Sequence, residues 1–162
     1  MQPDDIVKAA VISDCGTYRY RLSRVWGDGC LLPFCMLNPS TADASEDDPT
    51  IRRCISFARR EGFAGIEVVN LFAYRATSPK AMFAAAFSFG PDNYSHLRAV
   101  AEAAKEYGAP IVCAWGTNAS GREAIDIFRS VGAEMRCLGK TKDGRPRHPL
   151  YVKGDQPLET YP

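Results

Sequence analysis

The sequence lacks the short motifs that identify several common enzyme classes. It has no G-x-x-x-x-G-K-[ST] phosphate loop, no G-x-G-x-x-G dinucleotide fingerprint and no G-x-S-x-G nucleophile elbow. Its six cysteines form no C-x-x-C pair, whereas zinc and iron–sulfur sites use closely spaced ligands. We therefore expect no metal and no cofactor. Four cysteines lie among apolar residues and are expected to be small buried hydrophobes: Cys35, Cys54, Cys113 and Cys137.

The sequence also lacks a charge excess, a long apolar run and a leader-like start. Twenty basic and 19 acidic residues leave a net charge of +1, so any contact with a polyanion must be local. The longest apolar run, Cys30–Leu37, is far shorter than a membrane span. Residues Met1–Asp5 are acidic, unlike the basic start of a signal peptide. These absences predict a cytoplasmic protein without a membrane partner.

What is present indicates one α/β domain spanning residues 1–162. Residues 9–13 and 18–26 flank a turn and predict an N-terminal β-hairpin. In its second strand Tyr18, Tyr20 and Leu22 alternate with Arg19 and Arg21, which is typical of a half-exposed strand.

Four apolar runs follow, separated by segments with helical periodicity. The runs are Leu31–Leu37, Ile66–Phe72, Ile111–Trp115 and Met135–Leu138, and the helical segments are 50–61, 93–107 and 120–131. Asp48 can cap the first helix, with Pro49 at its first position. This alternation predicts a three-layer α/β/α sandwich built on a four-stranded parallel sheet.

Polar residues follow each predicted parallel strand, where ligands bind in such sheets. They are Asn38–Asp43, Asn70 with Tyr74–Thr77, Gly116–Asn118 and Gly139–Lys142. Asn38, Ser40 and Thr41 are either plain turn formers or groups that position a water or an anion. Asn70 either ties loops together or reads a ligand edge. Arg75 is either solvated or a phosphate ligand.

The strongest local charge lies near the C-terminal end. Residues 136–153 carry six basic side chains against one acidic side chain, and glycines and prolines make the segment a loop. Four of its cations are candidate phosphate ligands: Lys140, Lys142, Arg145 and Arg147. His148 lies in the same loop and is expected to face the site, whereas His96 has no such context.

Several motifs resemble a bacterial and phage family, domain of unknown function 1643. They are Met36–Asp43, Asp48–Arg53, Val69–Arg75, Ala114–Gly116 and His148–Tyr151. The resemblance extends from the first hairpin to Tyr151. It carries no established activity.

The order of these motifs is also similar, more distantly, to the uracil-DNA glycosylase superfamily, which has the predicted architecture. That resemblance implies that Asn38 positions the attacking water, Asn70 reads a pyrimidine edge and His148 stabilises the departing base. The sequence departs from the pattern at Ser40, where a glycine is usual, and at Leu150, where a serine is usual. No aromatic residue follows closely after Asn38, so the stacking partner of the base would be Phe72, Tyr74 or Tyr151.

The resulting hypothesis is a protein that recognises a nucleobase in DNA or a nucleotide and hydrolyses an N-glycosidic bond. Asn38 with Asp43 would orient water, and His148 would complete the catalytic set. The phosphate ligands would be Ser40, Thr41, Arg75, Lys140, Lys142, Arg145 and Arg147. Two alternatives stay open: a binder of modified bases or nucleotides without catalysis, favoured by the missing glycine and serine, and an enzyme on a free nucleoside derivative, favoured by the low net charge.

Overall fold

The computed structural model describes residues 5–162, in which one mixed sheet is flanked by helices. The strands are β1 Val7–Ile12, β2 Arg19–Val25, β3 Leu31–Met36, β4 Gly65–Asn70, β5 Ile111–Cys113, β6 Met135–Cys137 and β7 Glu159–Thr160. The α-helices are α1 Pro49–Arg60, α2 Pro79–Ala84, α3 Asn93–Tyr107 and α4 Arg122–Val131, and a 3₁₀ turn covers Pro149–Tyr151. Residues 1–4, which include Asp4 of the acidic start, lie outside the described residues.

The strand order across the sheet is β1-β2-β4-β3-β5-β6-β7. The four strands predicted from the apolar runs pair in parallel, with Phe34 opposite Val68 and Val112, and Cys113 opposite Cys137. The α/β class is therefore confirmed, but a sheet of four strands is wrong. The hairpin β1–β2 joins the edge of β4 antiparallel, and β7 joins β6 antiparallel.

Side chains alternate between two cores, one on each face of the sheet. Phe34, Val68 and Val112 pack with the apolar face of α1. Cys35 and Val69 belong to the other core, with residues of α3 and α4. Both faces of the central strands are buried, which explains their nearly continuous apolar sequences. The four cysteines expected inside are all buried.

Helix α1 begins where the sequence predicts. The Asp48 carboxylate accepts the N–H of Ile51 at 2.8 Å, and Pro49 occupies the first helical position, where its missing N–H costs nothing. The helix ends on Arg59 and Arg60, whose charges favour a C-terminus. The start of α1 is thus fixed beside the carboxyl ends of the parallel strands.

The second strand of the hairpin differs from the expected half-exposed pattern. Val11 pairs with Arg21 but Ile12 pairs with Arg19, so Tyr20 is an extra residue in β2. Such a bulge redirects the side chains on one side of it. Arg19 is consequently buried at 2% exposure, and the expectation that it lies on an exposed face is wrong. Arg24, at 0% exposure, lies on the same face of β2 as the buried Leu22.

No helix among residues 5–162 has the length and apolar character needed to cross a membrane.

Candidate functional site

A cavity of about 510 Å³ opens at the carboxyl ends of β3, β4, β5 and β6. Asn38 lines it directly after β3, Asn70 at the end of β4, and His148 after β6. The structure thus brings together three residues that are far apart in sequence. The remaining polar residues of its wall are Arg19, Ser40, Thr41, Asp48, Thr50, Thr77, Thr117, Asn118, Thr141, Arg147 and Tyr151, together with Trp115.

Asn70 has an unusual environment for a buried amide. Its side chain is 0% exposed, and neither Oδ1 nor Nδ2 has a hydrogen-bond partner. Its backbone carbonyl is bonded, because Asn93 Nδ2 donates to it at 2.9 Å and to the carbonyl of Leu71 at 3.2 Å. Hence Asn93 ties this loop in place, and the Asn70 side chain does not. A buried unpaired amide costs stability that a ligand would restore.

Asn38 is held in a fixed orientation at the cavity wall. Its Nδ2 donates to the carbonyl oxygens of Pro39 and Ala76, both at 3.0 Å. Both amide hydrogens are thereby used, while Oδ1 receives no hydrogen bond among the described residues. The side chain therefore links two loops and keeps one acceptor available.

His148 is held in one tautomer by its own turn. Its Nδ1 accepts the N–H of Leu150 at 3.2 Å, at the start of the 3₁₀ turn. An accepting Nδ1 is unprotonated, so the hydrogen of the neutral ring sits on Nε2. Burial lowers the pKa of His148 below its ordinary 6.5, and the Asp48 carboxylate opposes this weakly. His148 is therefore a neutral Nε2–H donor near pH 7.

Two charged residues of the cavity wall were not among the predicted site residues. Arg19 donates from Nη1 to the Ala42 carbonyl at 2.8 Å, but its buried Nε has no partner. Burial lowers the pKa of Arg19 to about 10, and Asp48 opposes that shift. Asp48 is 9% exposed, and the sequence predicts it only as a helix cap. The position of Asp48 directly before a helix, at the carboxyl ends of the strands, could have indicated a place in the site. No feature of the sequence indicates the bulge that turns Arg19 inward.

Asp43 lies outside the cavity wall, contrary to its expected place beside Asn38. Its Oδ1 accepts the N–H groups of Ser45 and Glu46, both at 2.8 Å. These backbone hydrogen bonds also lower the pKa of the Asp43 carboxyl. Its carboxylate therefore organises the loop between β3 and α1, because short polar side chains readily close such turns.

The predicted aromatic residues divide between two regions. Tyr151 lines the cavity and is 78% exposed at its rim. Phe72 and Tyr74 pack against the core on the α3 side of the sheet instead, and Phe72 contacts Phe83 edge-on at 5.3 Å between ring centroids.

Ser40, Thr41 and Arg147 line the cavity, whereas the other predicted phosphate ligands do not. The cations outside it mostly hold local structure. Arg75 donates to Gly16 O at 3.4 Å, Lys140 to Thr160 O at 3.5 Å and Arg145 to Ala119 O at 2.9 Å, while Lys142 is exposed. The basic loop forms a tight turn in which Lys140 and Pro146 pair as an antiparallel β-bridge.

Helix α1 holds the His148 turn against the sheet. Arg53 donates from Nε to the Pro149 carbonyl at 3.1 Å and from Nη2 to the Val152 carbonyl. Arg60 donates to the Gly154 carbonyl at 2.9 Å. Three backbone carbonyls of the C-terminal segment are therefore fixed by one helix.

Within residues 5–162 no group of three histidine, cysteine, aspartate or glutamate side chains is arranged to hold a metal ion.

These features define an α/β protein with a polar cavity at the carboxyl ends of its parallel strands. The family model described as Protein of unknown function (DUF1643) matches residues 19–150, and the chain belongs to that family. Neither the comparison with curated proteins nor the comparison with solved structures found a match.

Proposed function

We propose that the cavity binds a nucleobase or nucleotide and that Asn70 contacts the edge of the base. The observation that carries this proposal is the Asn70 amide, which is fully buried at the cavity wall with both polar atoms unpaired. An amide presents one donor and one acceptor side by side, and the edges of nucleobases present the complementary pair. Two hydrogen bonds would remove the cost of the unpaired group.

The surrounding groups support hydrolysis of an N-glycosidic bond. Asn38 Oδ1 is an available acceptor on a side chain that two carbonyls fix, which suits the orientation of a water molecule. The water oxygen would bond to the anomeric carbon as the bond from that carbon to the base nitrogen breaks. The base would leave with the electron pair, and His148 Nε2–H would donate a hydrogen bond to its developing negative charge. The water's proton would pass to solvent or to the base.

This assignment agrees with the motif resemblance to uracil-DNA glycosylases. A base in duplex DNA would have to be extruded from the stack to reach the cavity. Of the three predicted stacking residues Tyr151 is the one that lines the cavity, and it would contact the base there.

A second candidate, binding or hydrolysis of a free nucleotide, is favoured by the placement of the cations. Arg147 is the one basic residue of 136–153 that the cavity wall includes among the described residues, and Lys140 and Arg145 bond to backbone carbonyls. Arg147 donates from Nε to Lys140 O at 3.3 Å. A single basic side chain at the wall fits one or two phosphates better than a duplex.

The test is incubation of the protein with oligonucleotides carrying uracil, mismatches or modified pyrimidines, and with the matching nucleotides, followed by assay of abasic sites and free base. We expect release of a base that Asn38→Ala abolishes. Binding without release, lost in Asn70→Leu, would support the binder instead. Failure of every nucleobase compound to bind would contradict the proposal.

A further inference from the structure

Arg19 is a buried cation with few of its hydrogen bonds formed. Its side chain is 2% exposed, Nη1 donates to Ala42 O at 2.8 Å, and Nε has no partner. No hydrogen bond from Nη2 is found among the described residues either. A guanidinium that leaves its Nε–Nη2 edge unpaired retains the pair of parallel donors that binds two oxygen atoms of one anion.

The nearby acid does not neutralise Arg19 by direct contact. Asp48 Oδ1 accepts the Ile51 N–H at 2.8 Å, and the two side chains form no ion pair within 4.0 Å. The same bulge that buries Arg19 sets it against the cavity, on the strand next to the one that carries Asn70. A buried charge without a close counter-ion lowers the stability of the fold. Binding of an anion in the cavity would remove that cost.

The charges of the wall also favour an anion. Among its described residues the cavity has two guanidinium groups, Arg19 and Arg147, and one carboxylate, Asp48. The first residues of α1, including Thr50, add the positive end of a twelve-residue helix. The His148 ring is neutral for the reason given above.

From these contacts we infer that Arg19 forms an oxyanion subsite at the inner wall of the cavity. It binds a carboxylate or phosphate group through its Nε–Nη2 edge, on a ligand whose base is contacted by Asn70. The inference rests on the proposed function for the base and adds that the ligand is anionic. Two sources supply the same chemistry: a carboxylate on a modified base and the phosphate of a nucleotide.

The experiment compares ligands that differ by the anion alone. One pair is thymine and uracil-5-carboxylate, and the other is thymidine and thymidine 5′-monophosphate, each titrated calorimetrically against the wild-type protein. We expect the anionic member of at least one pair to bind about tenfold or more tightly than its neutral partner, as a charge-assisted hydrogen-bond pair allows. The pair that shows the difference identifies the source of the anion.

The variant Arg19→Lys keeps the charge but lacks the paired donors. It should reduce the preference to less than about threefold while the neutral partner binds as before. Lys142→Gln, at an exposed cation outside the cavity wall, is the comparison, and it should leave the preference intact. If Arg19→Lys does not fold, competition in the wild-type protein decides, because inorganic phosphate should displace the anionic ligand and leave the neutral one bound.

Three results would overturn the subsite: equal affinity within both pairs, a preference retained in Arg19→Lys, or a preference lost in Lys142→Gln. Failure of the base proposal has a different signature. In that case inorganic phosphate would raise the thermal midpoint of the wild-type protein but not of Arg19→Lys, while no neutral base or nucleoside binds.

Discussion

At the scale of single residues, two buried asparagines in contact have opposite roles. Asn70 and Asn93 are both 0% exposed, but Asn93 Nδ2 donates two hydrogen bonds and the Asn70 side chain forms none. Leucine has nearly the same volume as asparagine and no polar atom. Substitution by leucine at each position therefore distinguishes an amide that stabilises the fold from one that binds a ligand.

Asn70→Leu should leave the free energy of unfolding unchanged or raise it, because it removes an unpaired buried amide. Asn93→Leu should lower it by about 1–3 kcal/mol, because two carbonyls lose their donor. Chemical denaturation of both variants measures the difference. A destabilisation of Asn70→Leu as large as that of Asn93→Leu would contradict a ligand-binding role for Asn70.

A second prediction at this scale concerns the protonation of His148. Burial lowers its pKa below 6.5, and burial lowers that of His96 as well. The unfolded chain therefore takes up protons near pH 6.5 that the folded chain takes up only at lower pH. The contribution of these two histidines to the free energy of unfolding is complete above pH 6.5 and is lost as the pH falls below it. NMR titration, with His96→Gln to assign the signals, should give His148 a pKa below 6.5 and the Nε2–H tautomer. A pKa above 6.5 would contradict the neutral-donor role.

The residues also show where the sequence stops being informative. Asp43 and Asp48 lie on the same loop between β3 and α1, and composition does not tell which of them turns inward. Asp48 does so because it caps α1, and Asp43 does not because it closes a turn on Ser45 and Glu46. Arg19 was placed on the wrong face because the bulge at Tyr20 interrupts the alternation on which that prediction depended.

At the scale of elements, α1 contributes to the cavity in two ways. Its first residues line the wall, and Arg53, one turn along, bonds to Pro149 O and Val152 O on either side of the turn that follows His148. The helix thus couples the cavity wall to the position of the His148 ring without Arg53 entering the cavity.

Arg53→Ala should release that turn and weaken nucleotide binding about fivefold, because part of the binding free energy would then be spent on ordering the turn. Arg52→Ala is the matched control, because Arg52 is exposed and bonds to Asp47 O instead. Calorimetric titration of the two variants with the same nucleotide gives the comparison, and amide hydrogen exchange at residues 148–152 should rise in Arg53→Ala. Equal affinity in the two variants would show that the turn does not depend on Arg53.

Long apolar runs were the predictable part of the fold, and short polar elements were not. The parallel strands β3, β4, β5 and β6 and the helices α1, α3 and α4 follow from runs and helical spacing. Strand β7 consists of Glu159 and Thr160, both exposed, and carries no apolar pattern. Helix α2 has six residues, too few to establish a period.

At the scale of the whole molecule, the distribution of cations bears on the class of partner. Arg147 lines the cavity and Lys142 does not, although both belong to the same basic turn. A free nucleotide would meet Arg147 alone, whereas duplex DNA that covers the turn would meet both side chains.

Binding of a duplex oligonucleotide should therefore lose nearly one unit of salt slope in each of Lys142→Gln and Arg147→Gln. Binding of a free nucleotide should respond to Arg147→Gln and not to Lys142→Gln. Exposed charges contribute little to stability, so the thermal midpoints should be close to that of the wild type. If neither substitution changes the affinity for the oligonucleotide, DNA is not the partner.

The central claim is that the cavity at the carboxyl ends of the parallel strands binds a nucleobase through Asn70. Its most direct test is the side-chain amide signal of Asn70 in the ¹⁵N–¹H spectrum, followed while the nucleoside 5′-monophosphates are added one at a time. The account predicts that at least one of them shifts this signal, together with the Nε2–H signal of His148, and that Asn70→Leu abolishes its binding. If none of them moves either signal, or if the shifts fall on residues outside the cavity, the claim is contradicted.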